Sequence, residues 1–172
     1  ETRIGGPVLY LDWETDKTAF ARRMRLVTRG LGISDEEADL LPLYYRRMKG
    51  PIREQIGTVR TLIDKHRIVA VGVDSLGWTA GGADLKAPET AIEIMEMIRS
   101  LDRPTFCLAH QTKQARQGAP ADATIFGAVF FEAAARFVWQ LRARRETDGL
   151  ALHLINRKNN DGVMGGELGL RL

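Results

Sequence analysis

The segment Ile68-Val69-Ala70-Val71-Gly72-Val73 is apolar at six successive positions and then breaks abruptly into Asp74-Ser75. A short run without polar alternation reads as a strand with no solvent face, the kind found in parallel sheets covered by helices. Two further runs have the same form. Val8-Leu9-Tyr10-Leu11 lies between Gly5-Gly6-Pro7 and Asp12-Trp13-Glu14, and Pro104 to Ala109 ends in His110-Gln111. Leu40 to Tyr45 is a fourth candidate, in which Pro42 suits a strand end or edge.

Helical patterns separate these runs. Thr15 and Asp16 are possible N-caps for a helix with apolar Phe20, Met24, Val27 and Leu31, stopped at Gly30 to Gly32. Pro51 fits the first turn of a second helix, whose Ile52, Ile56, Val59 and Ile63 share one face. A third runs from Pro88 to about Leu101. Thr112 to Ala123 is polar and reads as a loop, followed by a small-residue helix over Phe126 to Ala135. Strands are expected near Phe137–Leu141, Leu150–Ile155 and Leu168–Leu172, with turn residues Asp148-Gly149 and Asp161-Gly162 favouring hairpins. The order implies an α/β fold: a mostly parallel central sheet flanked by helices, with antiparallel strands at the C-terminal edge.

The 172 residues, 44% hydrophobic, suffice for one domain over residues 1–172. Neither a membrane-spanning apolar run nor a signal peptide is evident, so no membrane partner and a cytoplasmic location are expected. Cys107 sits in an apolar run as a structural thiol, and no metal site of the structural type is expected. A net charge of +3 says little about nucleic acid. Arg22, Arg23, Arg25 and Arg29 cluster on one helix, Arg46, Arg47 and Lys49 are expected to follow a strand, and Arg142, Arg144 and Arg145 to end another; solvated faces are the ordinary explanation.

In open parallel sheets ligands bind beyond the carboxyl ends of the strands, and three such ends are polar here. Asp74, with Ser75 after it, suits a carboxylate that holds magnesium through water, although an aspartate there also serves as a cap or turn. Glu14 suits a base that orients water at a terminal phosphate, against the alternative that Asp12, Glu14 and Asp16 cap the next helix. His110 and Gln111 could sense a phosphate and report it to the loop carrying Lys113, Gln114, Arg116 and Gln117. That loop suits single-stranded DNA or plain solvent exposure.

The segments VLYLDWETD (8–16), VAVGVDSL (69–76), TFCLAHQTK (105–113), GAVFFEAAARFVWQL (127–141) and LINRKNNDG with GELGLRL (154–172) together resemble RecA-like P-loop ATPases of the RepA and DnaB hexameric helicase group and related AAA-type ATPases. The resemblance covers nearly the whole chain and implies a RecA-like three-layer fold. It also implies ATP and Mg2+ as cofactors, Glu14 as catalytic glutamate, Asp74 as the magnesium-associated aspartate with Ser75, and a sensor at His110, Gln111 or Lys113. DNA-contacting loops would fall at Gly77–Lys86 and Thr112–Thr124, with Lys86, Lys113, Arg116 and Gln117 as candidates. Arg157 and Lys158 would supply a residue reaching the neighbouring subunit's nucleotide, in an order reversed from the usual one. Single-stranded DNA and a homo-oligomeric ring or filament are the implied partners.

One part of the pattern is missing. A phosphate loop of the form G-x-x-x-x-G-K-S/T should precede Val8, and Gly81 to Lys86 lacks both its spacing and its place. The simplest account is truncation before residue 1, leaving a fragment inactive alone. The alternative is a RecA-like DNA-binding or assembly module without catalysis.

Overall fold

The computed structural model describes residues 5–111 and 129–171. Lys113, Arg116, Gln117 and the rest of that expected loop lie outside the described residues, as does the start of the helix expected at Phe126. The described residues form two compact units, residues 5–110 and residues 111 with 129–171.

The first unit runs β1 (Val8–Asp12), α1 (Lys17–Gly30), α2 (Asp35–Asp39), β2 (Leu43–Arg47), α3 (Ile52–His66), β3 (Ala70–Asp74), a 3-10 turn (Leu76–Ala80), α4 (Pro88–Arg99) and β4 (Thr105–Cys107). All four strands are parallel, in the order β2-β1-β3-β4. That order dictates the layers. The crossover from β1 to β2 steps one way along the sheet, and those to β3 and β4 step the other way. Right-handed crossovers therefore put α1 on one face and α3 and α4 on the opposite face.

The packing agrees with this arrangement. Phe20 of α1 stands with its ring centroid 4.9 Å from Tyr10 and 4.6 Å from Tyr45. Leu9 and Leu11 point to the other side of the pleat and are buried, as are Val59 and Ile63 of α3 and Ile94 and Ile98 of α4. Each fully buried aliphatic side chain contributes about 1.5–3 kcal/mol relative to exposure. β3 is buried at every residue, in keeping with its unbroken apolar run.

Local signals set the element ends. Asp16 is the N-cap of α1, its carboxylate accepting from the Ala19 amide at 2.8 Å. Ser34 and Glu37 form a capping box that starts α2, a helix the apolar pattern alone does not reveal because it has no buried residue. Pro88 opens α4. Pro42 precedes β2, an edge strand, and its carbonyl accepts from Val8 N at 2.8 Å. Arg46 and Arg47 lie within that strand and do not follow it.

The second unit contains α5 (Val129–Ala134), β5 (Phe137–Glu146), β6 (Gly149–Asn159) and β7 (Leu168–Arg171). The strands are antiparallel in the order β5-β6-β7, as expected, and among the described residues they form a sheet of their own. Glu146 pairs with Gly149, so the tight turn is Thr147-Asp148, one residue before its expected place. Arg142, Arg144 and Arg145 extend β5 beyond the apolar stretch from which it is legible. A bulge lies where Val138 pairs with Lys158 and Trp139 with Asn156, leaving Arg157 unpaired in the ladder. No helix among the described residues is long and apolar enough to cross a membrane.

Candidate functional site

In-register pairing sets Asp12 beside Asp74 at the carboxyl ends of β1 and β3. Trp13 N donates to Asp74 O at 2.6 Å, which carries the pairing one residue past the strands. β4 continues as an irregular extension, with Leu108 N donating to Val73 O at 2.9 Å and Leu76 N donating to Leu108 O at 2.8 Å. Residues from three strand ends are thereby gathered at one end of the sheet.

The three acidic residues after β1 do three different things. Asp16 caps α1. Asp12 is fully buried and accepts from Glu14 N and Thr15 N at 2.8 Å each, from Thr15 Oγ1 at 2.5 Å and from Tyr45 Oη at 3.2 Å. Burial by itself would raise its pKa; the Thr15 side chain and amide, then the Glu14 amide and Tyr45, outweigh burial and hold the carboxyl below its ordinary value. Asp12 thus fixes the backbone turn that presents Glu14.

Glu14 reaches across the strand ends instead of capping. Its Oε1 accepts from Ser75 Oγ at 2.5 Å and contacts His110 Nε2 at 2.7 Å. The carboxylate can only accept, so Nε2 is the protonated ring nitrogen in this contact. Burial again opposes ionisation, and the Ser75 and His110 hydrogen bonds overcome it, so the Glu14 carboxyl sits below its ordinary value. Ser75 is buried, whereas the Glu14 side chain remains 27% exposed, open to a water molecule.

Asp74 is nearly buried, and its Oδ2 accepts from Tyr10 Oη at 2.6 Å. Burial, then the hydrogen bond to Asp74, raises the Tyr10 pKa, keeping the phenol a donor. Tyr10 is a site residue that the apolar run around it conceals, although Gly72 carries a signal of it. A Cβ on Gly72 would lie 2.9 Å from Tyr10 Cδ2, so glycine there leaves room for the ring. The Asp74–Ser75 peptide is cis.

Among the described residues no three His, Cys, Asp or Glu side chains are grouped to cage a metal ion. A lone strand-end carboxylate with one oxygen committed to Tyr10 suits magnesium, which keeps most of its waters and takes further ligands from substrate phosphates. Burial pushes the Cys107 thiol up to about 12, and it stays protonated and inert.

The other candidates have surroundings of their own. Gln111 belongs to the second unit, where its amide donates to Leu141 O at 3.3 Å. The expected loop from Gly77 begins as the 3-10 turn, with Thr79 and Ala80 buried, while Lys86 is exposed and its amide donates to Asp84 Oδ1 at 2.9 Å. Trp78 in that turn is 61% exposed, a surface aromatic not singled out by the pattern. Lys158 Nζ donates to Glu132 O at 3.0 Å and Ala133 O at 2.7 Å in the last turn of α5. Arg157 has no polar partner among the described residues and sits at the bulge, a feature that re-aims side chains.

The chain is similar in structure to a KaiC-like protein from the hyperthermophilic archaeon Pyrococcus horikoshii OT3, with a TM-score of 0.67 and 14% sequence identity over 97% of this chain and 71% of that one. No protein-family model matches the sequence, and no curated protein matches it. The structural likeness establishes the fold as RecA-like.

Proposed function

We propose that residues 1–172 form the hydrolysis side of an ATP- and Mg2+-dependent motor domain acting on single-stranded DNA, of helicase or recombinase type, with both units belonging to one ATPase domain. The observation that carries this reading is the convergence of Ser75 and His110 on Glu14 beside Asp74. Glu14 accepts a hydrogen bond from the attacking water and orients it. Asp74 would hold the hydrated metal, Tyr10 holds Asp74, and His110, bonded to Glu14, would tie the state of Glu14 to the segment that follows it. Magnesium, when bound with nucleotide, supplies positive charge against the developing phosphate charge. The phosphate-loop form G-x-x-x-x-G-K-S/T does not occur within these 172 residues. Exposed Trp78 and Lys86 offer stacking and charge to a single strand.

The absence of a phosphate loop within residues 1–172 favours a second reading, a DNA-binding or assembly module without catalysis. Joining residues 1–172 to a phosphate loop and measuring hydrolysis with and without single-stranded DNA separates the two. Turnover that rises with DNA is expected; DNA binding without nucleotide binding or turnover supports the module instead.

Arg157 is the better candidate for reaching a neighbouring subunit's nucleotide, because Lys158 is committed to α5. In an assembled, active protein Arg157→Ala is expected to cut kcat by about 1,000-fold with folding intact. Lys158→Ala is expected to cost about 1–2 kcal/mol of stability in urea titration, with a smaller loss of kcat. The reverse pattern would exchange their roles.

A further inference from the structure

We infer that the first unit carries a self-complementary pair of helix faces through which one copy of this chain docks head-to-tail on the next. The inference rests on surface pattern in that unit and not on the ATPase reading. The outer face of α1 presents Arg22, Arg25 and Arg29 around Leu26, which is 65% exposed. The outer face of α4 presents Glu89, Glu93 and Glu96 around Ile92, which is 44% exposed. The Arg22 side chain and those of the three glutamates have no polar partner among the described residues, and Arg25 is held only by the charge of nearby Asp35. Arg29 is shared with Asp35, at 2.7 Å and 3.2 Å.

The two stripes match in length and in handedness. Each spans eight residues, a rise of about 10 Å. Seen from outside a right-handed helix, the i+3 residue lies to the left of residue i and the i+4 residue to its right. Turning the second helix to face the first exchanges left and right. With α1 and α4 of two copies side by side and parallel, Arg22 meets Glu89, Arg25 (i+3) meets Glu93 (i+4), Leu26 (i+4) meets Ile92 (i+3), and Arg29 meets Glu96. Charge meets opposite charge at three positions, and the two exposed aliphatic side chains meet between them.

α1 and α4 lie on opposite faces of the parallel sheet, so one copy cannot satisfy its own stripes. The contact is heterologous, and repetition gives a ring if the rotation closes and a filament if it does not. A single helix pair is a small interface, so association is weak, rapid and sensitive to ionic strength. A second copy is favoured over a polyanion because the chain itself displays the matching acidic stripe.

Sedimentation velocity of the 172-residue chain tests this over a wide concentration range at low and high salt. Concentration-dependent association at low salt that dissolves at high salt is expected. Arg22→Glu with Arg25→Glu, and separately Glu89→Arg with Glu93→Arg, are each expected to weaken association about tenfold or more by opposing like charges. Mixing the two variants restores it, because each supplies the charge that the other lacks; this recovery also shows that both are folded. The proposal falls if the wild type stays monomeric, if association strengthens with salt as an apolar surface would make it, or if mixing fails to rescue. It falls too if the α1 variant loses only binding to a fluorescent single-stranded oligonucleotide, which would assign the stripe to nucleic acid.

Discussion

Glu14→Gln, in a protein that joins residues 1–172 to a phosphate loop, is expected to lower kcat for ATP hydrolysis at least about 100-fold while nucleotide affinity stays within about threefold. The amide oxygen of glutamine can still accept from Ser75 Oγ and His110 Nε2, so the local geometry is retained. What disappears is the negative charge that strengthens the hydrogen bond accepted from water. Because the Glu14 carboxyl lies below its ordinary value, it is ionised throughout the neutral range, and activity above about pH 5 should not follow its titration. A carboxyl held below its ordinary value is a poor acceptor of a full proton. On the proposed reading its contribution is orientation of the water, with proton transfer completed late toward phosphate. Single-turnover measurements with nucleotide in excess read the chemical step directly, and an unchanged rate would remove Glu14 from the mechanism.

The largest effect on stability is expected from Asp12→Ala, about 3–5 kcal/mol in urea unfolding followed by circular dichroism. Asp12 is fully buried and receives four hydrogen bonds, and the Arg47 guanidinium lies 3.6 Å from its Oδ1. Truncation strands two backbone amides, a hydroxyl and a phenol together. The pH dependence has a definite sign. A carboxyl whose pKa is depressed by folding stabilises the native state above its unfolded value, about 3.9, and that stabilisation is lost as pH falls through the folded value. Wild-type stability should therefore drop on acidification below about pH 4. Asp12→Asn, already destabilised, should lose less over that range. A cost below about 1 kcal/mol for Asp12→Ala would mean that the turn is held by other contacts.

The division of labour among Asp12, Glu14 and Asp16 shows where sequence reading ends. All three are visible as polar residues after an apolar run, and capping chemistry accounts for Asp16 correctly. Glu14 departs from that account because its partners lie 61 and 96 residues away, at the ends of β3 and β4. No local pattern encodes such a meeting. The same holds for Tyr10, whose hydroxyl meets Asp74 only because β1 and β3 are neighbours in register. Lys158 and Arg157 are adjacent in sequence and alike in charge, and the β6 bulge together with the end of α5 separates them.

By itself the sequence determined the elements and their chemistry. Apolar runs of strand length, Asp16 and Pro88 at helix starts, and polar residues at strand ends follow from backbone sterics and side-chain periodicity, which act within a few residues. Tertiary structure alone decided the strand order β2-β1-β3-β4, which acidic side chain is buried as a support and which stays partly exposed at the strand ends, and that α1 and α4 present opposite charge on opposite faces. These depend on pairing register and crossover handedness, which act between residues distant in the chain and become definite only once the sheet has formed.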